Sequence, residues 1–103
     1  MAMQLGLFEP TLDERFEEWI QTVHGKAVFH EAAARARRLL AQGHKHYGIK
    51  AICEVIRYER AEAMGPDAEG YVVNNSYSSR LARRIMAIYP ELKGFFETRD
   101  LKD

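Results

Sequence analysis

The sequence predicts an all-α fold, a compact bundle of four to five helices. Three observations predict it. Apolar residues recur at three- and four-residue intervals over four separate stretches, the spacing that gathers them on one face of a helix. Residues that start and stop helices bracket those stretches. The three prolines and seven glycines fall mostly between the stretches and not within them. A chain of 103 residues without a repeat, linker or low-complexity tract supports one core, so residues 1–103 are expected to form a single α-helical domain.

The first helix opens at Thr11, where Thr-x-x-Glu to Glu14 is a capping-box pattern. Leu12, Phe16, Trp19, Ile20 and Val23 form its apolar stripe, with Asp13, Glu14, Glu17 and Glu18 opposite, and Gly25 is expected to end it. The second helix is expected from about Val28 to Gln42. Phe29, Ala32, Ala33, Ala36, Leu39 and Leu40 make its inner face, Arg35, Arg37 and Arg38 lie on the flanks, and Gly43 stands where a left-handed cap belongs. The third spans about Gly48 to Ala63, with Ile49, Ile52, Cys53 and Ile56 inward. Residues 64–70 read as a turn. Tyr71-Val72-Val73 is β-prone, and a short strand there would give a winged-helix-like variant. Asn74, Asn75 and Ser76 all suit an N-cap. The fourth helix runs over 76–89, turns Leu81, Ile85, Met86 and Ile88 inward, and stops at Pro90. Phe95 and Phe96 are expected to pin the chain end to the core, and the TRDLKD ending to fray. The expected core is Phe16, Trp19, Ile20, Phe29, Ala36, Leu40, Ile52, Ile56, Leu81, Ile85, Ile88 and Phe95.

No apolar run reaches the roughly 20 residues of a membrane helix, and the MAMQLGLFEP start lacks a signal-peptide pattern. The single Cys53 fits a reducing compartment. A cytoplasmic protein without membrane association is therefore expected. Zero net charge argues against a strongly basic nucleic-acid-coating protein, but the charge is unevenly spread. Residues 1–25 hold five acids and one Arg, residues 26–60 eight bases and three acids, and residues 79–93 four bases and one acid.

The fourth helix is the strongest candidate for function. A helical wheel gathers Ser76, Arg80, Arg83 and Arg84 opposite Leu81, Ile85 and Ile88. A polar N-terminus of Asn74, Asn75, Ser76 and Tyr77 leading into three arginines is suited to DNA, where Arg reads guanine, Asn reads adenine and helix starts meet phosphates. Lys45, His46 and Lys50 are expected to add backbone contacts, with Arg35, Arg37, Arg38 and His44 in the same basic group. The arrangement is helix-turn-helix-like, although a dozen residues join the third and fourth helices where the motif uses three or four. The leading expectation is a DNA-binding accessory or regulatory protein, and such modules commonly act as homodimers. The competing expectation is a non-enzymatic protein-interaction module, an inhibitor of a host or defence complex, using the acidic face of Glu14, Glu17 and Glu18. No catalytic, cofactor or metal site is expected. G-x-S-x-G and phosphate-binding glycine loops are missing. His44 and His46 fall short of a zinc site.

Two resemblances bear on function. The stretch 47–99, with YGIKAICEVIRYE and YVVNNSYSSRLARRIMAIYPELKGFFETR, resembles small uncharacterised proteins encoded in phages and prophages of Gram-negative bacteria. It implies a mobile-element origin, and with it a DNA-binding regulator or an inhibitor of a host protein. The Arg38-x5-His44 spacing is similar to the motif of the HEPN-type ribonucleases, which implies RNA cleavage at a dimer interface as a third option.

Overall fold

The computed structural model describes residues 9–98. The readings of the chain start and of the frayed end at 99–103 lie outside the described residues. Among the described residues four α-helices follow one another: α1 Leu12–Ile20, α2 Val23–Ala41, α3 Ile49–Met64 and α4 Asn75–Ile88. A 3-10 segment, Gly65–Tyr71, joins α3 to the approach of α4, and a second, Pro90–Leu92, follows α4.

The capping box of α1 forms as expected. Thr11 N donates to Glu14 Oε1 (2.9 Å) and Glu14 N donates to Thr11 Oγ1 (3.1 Å). Donation to the carboxylate from the Thr11 backbone N–H first, and from its hydroxyl second, holds Glu14 below its ordinary pKa. The end of α1 differs from expectation. The helix stops at Ile20, and α2 begins at Val23, five residues before the predicted start. Thr22 causes both events. Its hydroxyl donates to Trp19 O (2.6 Å) and accepts from Gly25 N (3.0 Å), closing one helix and capping the next. Val23 therefore leaves the apolar stripe and is 78% exposed. Gly25 lies inside the first turn of α2. A Cβ there would stand 2.0 Å from Trp19 O, so only glycine permits this close corner.

Helix α2 ends as predicted. Gly43 has φ +102°, Gly43 N donates to Leu40 O and His44 N donates to Leu39 O (both 3.0 Å), the paired bonds of a Schellman cap. The strand anticipated at 71–73 is not formed. Tyr71 closes the first 3-10 turn and is buried, Val72 is extended, and no strand occurs among the described residues. Pro66 and positive-φ Gly65 start that turn, and it seats Ala68 and Tyr71 in the core. The winged-helix variant thus has no wing.

Helix α4 is the axis of the molecule, in contact with α1, α2 and α3. Leu81, Ala82 and Ile85 are fully buried. After Pro90, Gly94 (φ +76°) turns Phe95 and Phe96 into the core, and Tyr47 N donates to Phe95 O (3.2 Å). Nine of the twelve expected core residues are buried. Trp19 and Leu40 pack partly against the core, while Ile88 is 53% exposed. Val28, Leu92 and Phe96 are among the further residues of the core. No described helix is long and apolar enough to cross a membrane.

Ion pairs join the helices. Asp13 and Glu17 of α1 meet Arg80 and Arg84 of α4. Glu31 and Arg35 of α2 meet Arg60 and Glu59 of α3. Arg37 reaches Glu91 at 2.9 Å and lies over the Tyr89 ring at 5.0 Å.

Candidate nucleic-acid interface

The arginine face expected on α4 is not a solvent face. Arg80 is 7% exposed; its Nε donates to Asp13 Oδ1 (2.6 Å) and its Nη1 to Ser76 O (3.2 Å). Arg84 pairs with Glu17 and lies 5.5 Å from the Phe16 ring centroid. Arg83 is half-buried. Tyr77 packs on Trp19 (5.4 Å) and Phe16 (5.8 Å), within the α1–α4 seam. The correction has one physical cause. Helix α1 lays its acidic residues along the stripe that the wheel showed as basic. Arg80 and Arg84 are thus engaged by α1, in place of the open basic face that the wheel suggested.

The other half of the predicted set does converge. The start of α3 and the start of α4 face a common groove, of about 980 Å³, lined by His46, Tyr47, Lys50, Asn75 and Ser79 together with the C-terminal turn at Gly94 and Glu97. A second hollow of about 490 Å³ continues along α3 past Cys53, Glu54 and Arg57 to Val72, Val73 and Asn74. Lys50, Asn75 and Ser78 line both. Sequence positions 46–50 and 74–79 are thus brought together, and Lys45 is exposed in the loop beside them.

Residues of both helix starts line this region. At α4, Asn74 Oδ1 accepts from Ser76 N (2.9 Å) and from Ser76 Oγ (2.6 Å), which occupies the exposed Ser76 hydroxyl in the cap. At α3 the N-cap is Gly48, which has no side chain to supply a cap bond. No side chain caps the first-turn amides there, and the positive end of the helix dipole lies behind them. Lys50, exposed in that first turn, adds a full positive charge. The chemistry offered is that of an anion site with amide and hydroxyl donors around it.

The chain matches no family model, no curated protein and no solved structure. The groove therefore stands on its own geometry. The remaining basic residues are distributed elsewhere. Arg35 and Arg37 are held in the ion pairs described above, and Arg38 borders a shallow depression with Arg37 and Glu91. His44 meets Tyr47 edge-on at 6.1 Å. Among the described residues no three metal-ligating side chains cluster. Cys53 is buried and its thiol is pushed up to about 11, by desolvation first and by the neighbouring Glu54 second.

Ser78 and Ser79 also line the groove, and nothing in the sequence marks them out for it. Ser78 is 3% exposed and bonds Asn75 O (2.9 Å). No periodic signal marks such residues. The available clue was Gly48, a cap without a side chain ahead of a lysine.

Proposed function

We propose that this protein is a small, non-enzymatic DNA-binding accessory protein that holds the phosphate backbone in the groove between the starts of α3 and α4. Lys50 and His46 supply charge, the α3 amides and Asn75 supply hydrogen bonds, and Lys45 steers from the rim. Asn74 and Ser76 shape the α4 start. The observation that carries this reading is the meeting of Lys50 and His46 with Asn75 at two helix starts in one groove. Backbone contact without deep base reading gives modest, sequence-tolerant and strongly salt-dependent affinity. The setting we propose is the cytoplasm of a cell carrying a phage or other mobile element, in keeping with the resemblance of residues 47–99.

A protein inhibitor acting through the acids of α1 is less well supported, since Asp13 and Glu17 are engaged by arginines and Glu14 serves its cap. The ribonuclease option places Arg38 and His44 at the exposed end of α2, with Arg38 bordering a shallow depression.

The test is a fluorescence-anisotropy titration of random duplex DNA at two salt concentrations. Affinity should fall steeply with salt. Lys50→Gln should weaken binding and lower the magnitude of the salt slope by about 1, without changing the thermal midpoint. No binding at low salt, or an unchanged slope in Lys50→Gln, would defeat the proposal.

A further inference from the structure

The groove between the starts of α3 and α4 holds two groups that a phosphate backbone does not use. The first is Tyr47, which is 39% exposed and lines the groove with His46 and Lys50. Its position is fixed from two sides. Its backbone N–H donates to Phe95 O (3.2 Å), and Phe95 is 1% exposed, so the anchor is the core itself. The His44 ring stands edge-on to the tyrosine ring, with 84° between their planes. The second group is Glu97. It follows Phe95 by two residues, is exposed and lines the same groove. The Tyr47–Phe95 bond therefore ties the ring to the segment that carries this carboxylate. A carboxylate repels phosphate. The one lysine of the lining is offset by Glu97, so charge alone gives weak retention of a backbone.

We infer that the preferred ligand of this groove is single-stranded DNA, with an unpaired base stacked on Tyr47 and its amino edge turned to Glu97, while Lys50 and His46 hold the adjoining phosphate. The two extra groups select that ligand over a duplex. In a duplex the bases stack on one another and pair edge to edge, so the ring and the carboxylate find no partner and only the backbone is held. In a single strand both find one. Every base offers a π-face to an aromatic ring, and such stacking adds about fivefold to a hundredfold per base. The N4 amine of cytosine donates to a carboxylate, whereas thymine has no amino group. Glu97, a liability in a pure phosphate site, becomes an acceptor in this one. The assignment rests on the DNA-binding reading and narrows it from any backbone to an unpaired strand.

Fluorescence anisotropy at low salt, with labelled oligo(dC) and oligo(dT) of about 12 nucleotides and a duplex of the same length, tests it on the full chain. Oligo(dC) should bind about tenfold or more tighter than the duplex, and tighter than oligo(dT). Tyr47→Ala should remove the preference for the single strand and leave duplex affinity unchanged. Tyr47→Phe, which keeps the ring, should retain that preference. Lys50→Gln should weaken both forms, since both use the phosphate contact. Glu97→Ala should bring the oligo(dC) and oligo(dT) affinities together. Circular dichroism melts establish that each variant is folded. A duplex bound as tightly as the single strand, or a preference that survives in Tyr47→Ala, overturns the inference and leaves the DNA-binding reading standing. Equal native affinity for oligo(dC) and oligo(dT) overturns the place given to Glu97. No binding of any of the three at low salt defeats the DNA-binding reading itself, and this inference with it.

Discussion

Arg80 shows how a charged side chain can look functional in a sequence and be structural in the fold. Its guanidinium is buried between α1 and α4 and bonded to Asp13 and to the Ser76 carbonyl. Removing it deletes charge-assisted bonds and leaves a gap in a packed seam. Arg80→Ala should lower stability by about 2–4 kcal/mol, read from urea unfolding followed by the emission of Trp19, which sits in that seam beside Tyr77. DNA affinity of the folded variant should be unchanged, in contrast to Lys50→Gln. Cys53 carries a pH signature. Its folded thiol titrates near 11 against an ordinary 9.0. Between those values the native state retains a proton that the unfolded chain has released, so this group's contribution to stability falls as pH rises from about 9 to about 11. A Cys53→Ala variant should show a flatter stability profile across that window, and the native thiol should react with a disulfide reagent far more slowly than the unfolded chain does.

At the scale of the element, helix existence was legible and one boundary was not. Thr11 to Glu14, Gly43 and Pro90 each carry a local physical cause that acts through a few neighbouring bonds, and each marks a helix end where expected. The α1–α2 boundary failed because the apolar spacing runs on through Val23 while Thr22 closes one helix and opens the next. Gly25 was assigned to the wrong event. A glycine after an apolar run suggests a stop, whereas here it admits the Trp19 carbonyl into the first turn of α2. Gly25→Ala should therefore destabilise by about 2–4 kcal/mol, although alanine has the better helix propensity. A thermal midpoint at or above that of the native chain would show that the corner relaxes without cost. The strand expected at 71–73 failed for a related reason. Tyr71 and Val73 have β-prone side chains, but among the described residues no strand pairs with them, and burial of Tyr71 by the 3-10 turn decides the conformation.

For the whole molecule, the uneven charge along the sequence resolves into internal pairing. The acidic opening segment meets the basic segment of α4, and α2 and α3 exchange two further pairs. The groove keeps part of the basic set, Lys50 and His46, away from those pairs. This explains how far the candidate site could be read in advance. A helical wheel orders residues about their own axis. It identified Arg80, Arg83 and Arg84 as neighbours correctly, but what faces them is a tertiary fact set by α1. Lys45, His46 and Lys50 were grouped with Asn74 and Asn75 on residue type alone, and the chain path through Gly48 and Asn74 brings Lys50 and His46 to Asn75. Their union depends on long-range packing of α3 on α4, about which local spacing carries no information.

The α1–α4 seam also has a consequence for synthesis. Asp13 and Glu17 each stand 67 residues before their arginine in α4. At bacterial-to-eukaryotic elongation rates that gap corresponds to roughly 3–13 s. Throughout that interval the side of α1 that α4 will cover, with Phe16 and Trp19, remains open on the growing chain. The nascent polypeptide thus carries an uncovered aromatic stripe edged with carboxylates until the ribosome delivers Arg80 and Arg84. Those carboxylates keep the stripe hydrated while it waits and guide its arginines into place afterwards.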